Sequence, residues 1–161
     1  MEIEAARQIL LDHAKHPRNK LSFGIGANDK SHYLFGECRN PICGDHVRVF
    51  VQLRNIDLCE PVAEQIHLEL KGCTICTASA SLMSEVVKGL SFSMIHSLRA
   101  LFEGSLLESE NALWNAELSP LEAFKHLRVN PARIPCSLIG WYALKQAIEA
   151  GKKSIPLSAE I

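Results

Sequence analysis

His46-Val47-Arg48-Val49-Phe50-Val51-Gln52-Leu53-Arg54 alternates in character. Val47, Val49, Val51 and Leu53 fall on one side, and His46, Arg48, Gln52 and Arg54 on the other. That period of two is the mark of a half-buried strand. Val62 to Leu70 repeats it through Ile66, Leu68 and Leu70. The short link Asn55 to Pro61 predicts that the two runs pair antiparallel. His32 to Phe35 reads as a weaker third strand.

Outside these runs the spacing turns helical. Ile3, Ala6, Ile9 and Leu10 mark an amphipathic helix over 3–15, which His16-Pro17 ends. Residues 17–30 are polar and Gly-rich, a loop. Gly72 breaks the second strand, and 74–88 is helical with Ile75, Ala78, Leu82, Val86 and Val87 inward. Its small run, Thr77-Ala78-Ser79-Ala80-Ser81, lets another backbone approach closely, and Gly89 stops it. Ser91 or Ser93 caps a further helix running to Gly104. Ser105 to Leu118 is acidic and irregular, and Ser119-Pro120-Leu121-Glu122 starts a short helix. After the turn from Pro131 to Pro135, Leu138, Trp141, Tyr142, Leu144 and Ile148 mark a last helix ending at Gly151. The expected class is α+β: one domain over 1–161, a small antiparallel sheet with helices packed on one face.

Composition narrows the function. The chain has 161 residues, enough for a real core. Seventeen Lys+Arg stand against eighteen Asp+Glu, a net charge of -1, so no surface for nucleic acid or anionic membrane is expected. No apolar run approaches the roughly 20 residues of a membrane helix. Met1-Glu2-Ile3-Glu4 is acidic and does not read as a signal or transit peptide. Six cysteines in such a chain imply a reducing cytoplasm, where metal binding or catalysis is commoner than disulfides.

Three cysteines have tight local contexts: Asn40-Pro41-Ile42-Cys43-Gly44-Asp45, Gly72-Cys73-Thr74-Ile75 and Pro131-Ala132-Arg133-Ile134-Pro135-Cys136. Each lies where a turn meets a regular element. Cys43 and Asp45 are two apart and point the same way in an extended segment, with Gly44 free to bend between them. His46 then points to the opposite face. Cys73 and Cys136 fall at or near helix starts, where free N–H groups favour thiolate. Three sulfurs and a carboxylate suffice for one tetrahedral metal.

These segments, with Asp12-His13, His16-Pro17-Arg18-Asn19-Lys20, Ala78-Ser79-Ala80-Ser81, Trp141 and Ala143-Leu144, resemble the U-type iron–sulfur assembly proteins, the IscU, NifU N-terminal and SufU group. The resemblance runs in order along nearly the whole chain and is nearest to the SufU-like branch. Residues 104–127 resemble a branch-specific insertion. IscU-type proteins carry a His directly before the third Cys, within a Leu-Pro-Pro-Val-Lys stretch; this chain has Pro135 there, where SufU-like proteins usually have Lys. The resemblance implies an IscU/NifU-like fold. It implies zinc held by Cys43, Asp45, Cys73 and Cys136, and a sulfurtransferase taking persulfide sulfur on Cys43 from a SufS-like cysteine desulfurase. Arg133 is implied as a nearby basic residue. A downstream iron–sulfur scaffold or apo-proteins would receive the sulfur. The alternative on the same ligands is a scaffold for a [2Fe–2S] cluster, built from iron.

Other features have plainer readings. Cys73-x-x-Cys76 suggests a thioredoxin-like dithiol, but that needs a parallel βαβ unit, so Cys76 is read as a small core residue. Cys38 and Cys59 are read as structural or incidental rather than as resolving thiols. His13 and His16, one helical turn apart, are read as solvated or as cations at a helix C-terminus. Trp141 and Tyr142 are read as core and rim.

Overall fold

The computed structural model describes residues 1–22, 33–54, 60–107 and 116–154. Strands β1 (Leu34–Arg39), β2 (His46–Arg54) and β3 (Val62–Lys71) form one antiparallel sheet in the order β1-β2-β3. Helices α1 (Ile3–Lys15), α2 (Thr74–Val86), α3 (Phe92–Leu107) and α4 (Ile134–Ser154) surround its inner face. Stretches of 3-10 winding at Ala116–Val129 and Pro131–Arg133 lead into α4. No helix among the described residues is long and apolar enough to cross a membrane.

The alternation of β2 translates into burial over its first half; beyond it Phe50, on the outward parity, is buried as well and Leu53 only partly so. Val47, Val49 and Val51 are sealed against the helices, with Ile66 and Leu68 of β3 beside them. On the outer face Glu37, Arg48 and Glu69 stand opposite one another across the three strands. Arg48 pairs with Glu69 at 3.0 Å and Glu37 at 3.4 Å, and His46 Nε2 lies 2.7 Å from Glu37. His46 is thus turned away from the cysteine turn, as its parity required.

β1 runs from Leu34 rather than over His32 to Phe35, and His32 lies outside the described residues. Its centre is Gly36, a poor strand residue by propensity. Tertiary packing decides: α4 crosses so closely that a β-carbon on Gly36 would sit 1.9 Å from the Ala143 carbonyl oxygen. Both outer strands are finished by the chain itself. Leu68 of β3 donates its N–H to the Asn19 carbonyl and accepts one from the Leu21 N–H, each at 2.9 Å. The Glu37 N–H of β1 donates to the Gln146 side chain of α4 at 3.3 Å.

Helix α2 is the hub, and its small residues act as expected. Ser79 Oγ donates to the Ser137 carbonyl of α4 at 2.5 Å, and Gly140 packs on Ala80. On another side, Ser81 Oγ meets both the Arg18 N–H and His13 Nδ1 at 2.8 Å. His13 is therefore not solvated as expected: it is 7% exposed, locked between α1 and α2, whereas His16 is exposed. The serine hydroxyl offers the buried ring a polar partner, which makes its burial tolerable.

Ser91 caps α3, its Oγ accepting the Met94 N–H at 3.4 Å. The helix continues to Leu107, past the expected end at Gly104. Part of the expected acidic irregular segment, 108–115, lies outside the described residues, as do most of the 55–61 link and Cys59. The short helix expected from Ser119 is 3-10 in character and buries Leu121 and Phe124, the latter edge-on to Phe102. α4 begins at Ile134, so Pro135 lies inside its first turn, where proline costs no helical hydrogen bond.

Candidate metal centre

The loop between β1 and β2 carries Cys43 and Asp45, and Asn40 organises it. Asn40 N–H donates to the Asp45 carbonyl and Gly44 N–H to the Asn40 carbonyl, both at 2.8 Å. The Asn40 side-chain oxygen accepts the Ile42 N–H at 3.0 Å, an Asx turn that proline at 41 permits. Gly44 has φ +70°, left-handed backbone that glycine enters without strain, and nothing crowds its missing side chain. The result is a tight turn with Cys43 outward and exposed and Asp45 inward, 2% exposed.

Asp45 reaches the start of α2. Its Oδ1 accepts the Cys73 N–H at 2.8 Å, and its Oδ2 lies 3.5 Å from Cys73 Sγ. Cys73 is the N-cap of α2, its sulfur accepting the Cys76 N–H at 3.5 Å. Gly72 makes room: a β-carbon there would sit 3.0 Å from Cys76 Sγ and 3.1 Å from Asp45 Oδ1. From the third side, the first turn of α4 brings Cys136, 1% exposed, with its sulfur 3.7 Å from Cys43 Sγ. The Asn40 side-chain nitrogen approaches Cys136 Sγ at 3.9 Å. Among the described residues, ligand atoms of Cys43, Asp45 and Cys136 lie within 4.8 Å of one another.

The donor set and its spacing suit a zinc ion. Two sulfurs each about 2.3 Å from a tetrahedral zinc are about 3.8 Å apart, close to the Cys43–Cys136 separation. Burial pushes the Cys136 thiol well up, and hydrogen bonding with Asp45 and Cys43 adds to the shift. With no cation to balance it, such a site favours the neutral thiol, and a divalent metal reverses that preference.

The expected residues fall as follows. The β1–β2 loop and α4 bring the ligand atoms of Cys43, Asp45 and Cys136 together, and Cys73 stands outside that group, against Asp45 Oδ2 at 3.5 Å. Arg133 is exposed on the turn three residues before Cys136. Cys76 is buried one turn into α2, with its thiol pushed up first by burial and then by Asp45. Cys38 is half-buried on β1. The strands before Cys73 are antiparallel, which denies a thioredoxin-like unit. Asn40, which organises the turn, is not among the expected functional residues, although Asn-Pro is a turn signal that marks it.

The chain is similar to known proteins over most of its length. Residues 5–101 match the family described as NifU-like N terminal domain, a span that includes Cys43, Asp45 and Cys73. The zinc-dependent sulfurtransferase SufU of Bacillus subtilis (strain 168) is 31% identical over 142 residues, 88% of this chain and 88% of its own. The iron–sulfur cluster assembly scaffold protein IscU of Streptococcus pyogenes serotype M1 is 32% identical over 141 residues, 88% of this chain and 80% of its own. The crystal structure of a nitrogen-fixing NifU-like protein (N-terminal) from Brucella abortus shares the fold at a TM-score of 0.75. That likeness covers 94% of this chain and 99% of that one at 18% identity.

Proposed function

This chain belongs to the family of NifU-like N-terminal domains, and from that premise we propose that it serves iron–sulfur cluster biogenesis as a zinc-dependent sulfurtransferase. It takes persulfide sulfur from a SufS-like cysteine desulfurase in the cytoplasm and passes it to a downstream scaffold or apo-protein. Cys43, Asp45, Cys73 and Cys136 are the residues that would hold zinc. Zinc bound there would keep the thiols ionised at neutral pH and, being redox-inert, would not oxidise them.

Cys43 is the acceptor. One observation carries this reading: of the four proposed ligands, Cys43 is the exposed one, on a turn, while Asp45 and Cys136 are buried and Cys73 caps a helix. A turn swings outward without unfolding a regular element. The Cys43 thiolate attacks the terminal sulfur of the donor persulfide. A new S–S bond forms at Cys43, the donor S–S bond breaks, and the desulfurase cysteine leaves as thiolate. Asp45, Cys73 and Cys136 stay in place and hold the pole of the molecule together. Arg133, exposed nearby, offsets the negative charge that four anionic ligands leave around a divalent ion. Pro135 supplies no charge at the position before Cys136, so Arg133 carries that task without the usual Lys. Residues 104–127 form the branch-specific part of a single domain.

Desulfurase turnover with cysteine should rise when this protein is added, and Cys43→Ser should abolish the rise. Mass mapping of the trapped persulfide should find the added sulfur on Cys43. Sulfur on Cys136 with Cys43 unmodified would favour the scaffold reading, which the IscU relative supports. Metal analysis separates the two as well. Colourless protein with about one zinc supports transfer, and brown protein carrying a [2Fe–2S] cluster supports the scaffold.

A further inference from the structure

A cavity of about 50 Å³ lies between α3 and α4, apart from the metal centre. Ile95 and Leu144 give it apolar walls. Trp141, fully buried and tilted at 34° against Phe102 with ring centroids 5.1 Å apart, forms another wall.

Its polar groups are unusual in kind. Among the described residues, four buried side-chain nitrogens lack a well-aligned hydrogen-bond partner: His46 Nε2, Arg48 Nε, Arg99 Nε and Trp141 Nε1. The first two lie against the Glu37 carboxylate, at 2.7 and 3.4 Å. Arg99 and Trp141 both line the cavity. Glu103 is already engaged, by Arg99 Nη1 on one oxygen and the Tyr142 hydroxyl on the other. An indole and a guanidinium can only donate, so a second donor cannot satisfy them. Leaving a buried donor unpaired costs more than an ordinary hydrogen bond returns. Around them the cavity wall adds His96, Lys145 and Lys152. Its acidic member, Glu149, lies 3.7 Å from Lys145.

We infer that this cavity binds a small aliphatic carboxylate, with the carboxylate oxygens accepting from Trp141 Nε1 and Arg99 Nε and the short apolar body against Ile95 and Leu144. The volume exceeds what one water needs, and three cations, Arg99, Lys145 and Lys152, stand there against two carboxylates, Glu149 in the wall and Glu103 behind Arg99. The carboxylate supplies both the acceptors and the charge.

The full-length, metal-loaded protein labelled with 15N tests this. It has two indole N–H signals, from Trp114 and Trp141, and Trp114→Phe assigns them. Titration with propanoate should move the Trp141 indole signal saturably, and 1-propanol should not. Lys145→Gln with Lys152→Gln, both exposed on the surface of α4, should weaken propanoate about tenfold with the thermal midpoint unchanged. Trp141→Phe, if it folds, should weaken it as much. An indole signal that never saturates with propanoate overturns the assignment. Equal binding of inorganic phosphate or of 1-propanol overturns the aliphatic carboxylate class.

Discussion

Cys43 and Cys136 have sulfurs 3.7 Å apart, yet the fold treats them in opposite ways. Cys136 is sealed in the first turn of α4, a helix pinned to α2 through Ser79, Ala80 and Gly140 and to β1 at Gly36. Cys43 is exposed on a turn held by three backbone donors around Asn40. One side of the pole is fixed by packing and the other by a few hydrogen bonds. The difference teaches how the proposed centre can be both a cross-link and a reactive surface, with rigidity and reactivity on separate elements.

The largest effect should come from breaking the cross-link itself. Stripping the metal with a strong chelator should lower the thermal midpoint markedly, since a structural zinc contributes on the order of 10 kcal/mol. Cys136→Ser and Cys73→Ser should reproduce that loss of metal, while Cys76→Ser keeps both metal and sulfur acceptance. A midpoint indifferent to chelation would break the four-ligand site, and equal damage from Cys76→Ser would return the dithiol reading. Next comes the packed side. Gly36→Ala must push α4 away from β1 and should cost on the order of 3 kcal/mol in urea unfolding. A neutral result would mean that α4 yields easily and that the contrast with the turn is overstated.

The turn side should respond more gently. Gly44→Ala keeps every contact but forces left-handed backbone on a residue with a β-carbon, at about 1 kcal/mol. In the proposed ligand set the carboxylate is the one hard ligand among thiolates, so Asp45→Ala should speed zinc loss to a competing chelator. Zinc release and sulfur uptake both unchanged would remove Asp45 from the ligand set.

The smallest effect is in pH. Burial holds the His13 imidazole below its usual pKa, Arg18 adds to this, and Glu85 and Asp12 oppose it. The unfolded chain binds a proton near pH 6.5 that the folded chain resists. Stability is therefore full above about pH 6.5 and falls as the pH drops below it. His13→Gln should flatten that slope in urea unfolding; a slope unchanged by the substitution would show that His13 is free to ionise in place.

The sequence-based reading succeeded where local chemistry decides. Alternation in β2 and β3, helical spacing in α1 and α2, and the turn contexts of Cys43 and Cys73 all act within a few residues. It missed what only packing decides. His13 and His16 share a helix and a spacing, and nothing local distinguishes the one that meets Ser81. Gly36 argues against a strand until α4 lies across it. The 3-10 winding over Ala116–Val129 follows from burying Leu121 and Phe124 around a proline, which apolar spacing alone does not specify.

The hydrogen bonds along the outer strands have a consequence for the molecule in a crowded solution. A three-stranded sheet offers two rows of unpaired backbone groups, each a template on which another chain can polymerise. Here Asn19 and Leu21 engage the β3 row at Leu68, and Gln146 engages the β1 row at Glu37. The segment after α1 thus serves as a guard against cross-β growth. Leu21→Pro, which removes the donor to the Leu68 carbonyl, would weaken that guard before it touched the core, and its first symptom should be fibrils or precipitate rather than unfolding.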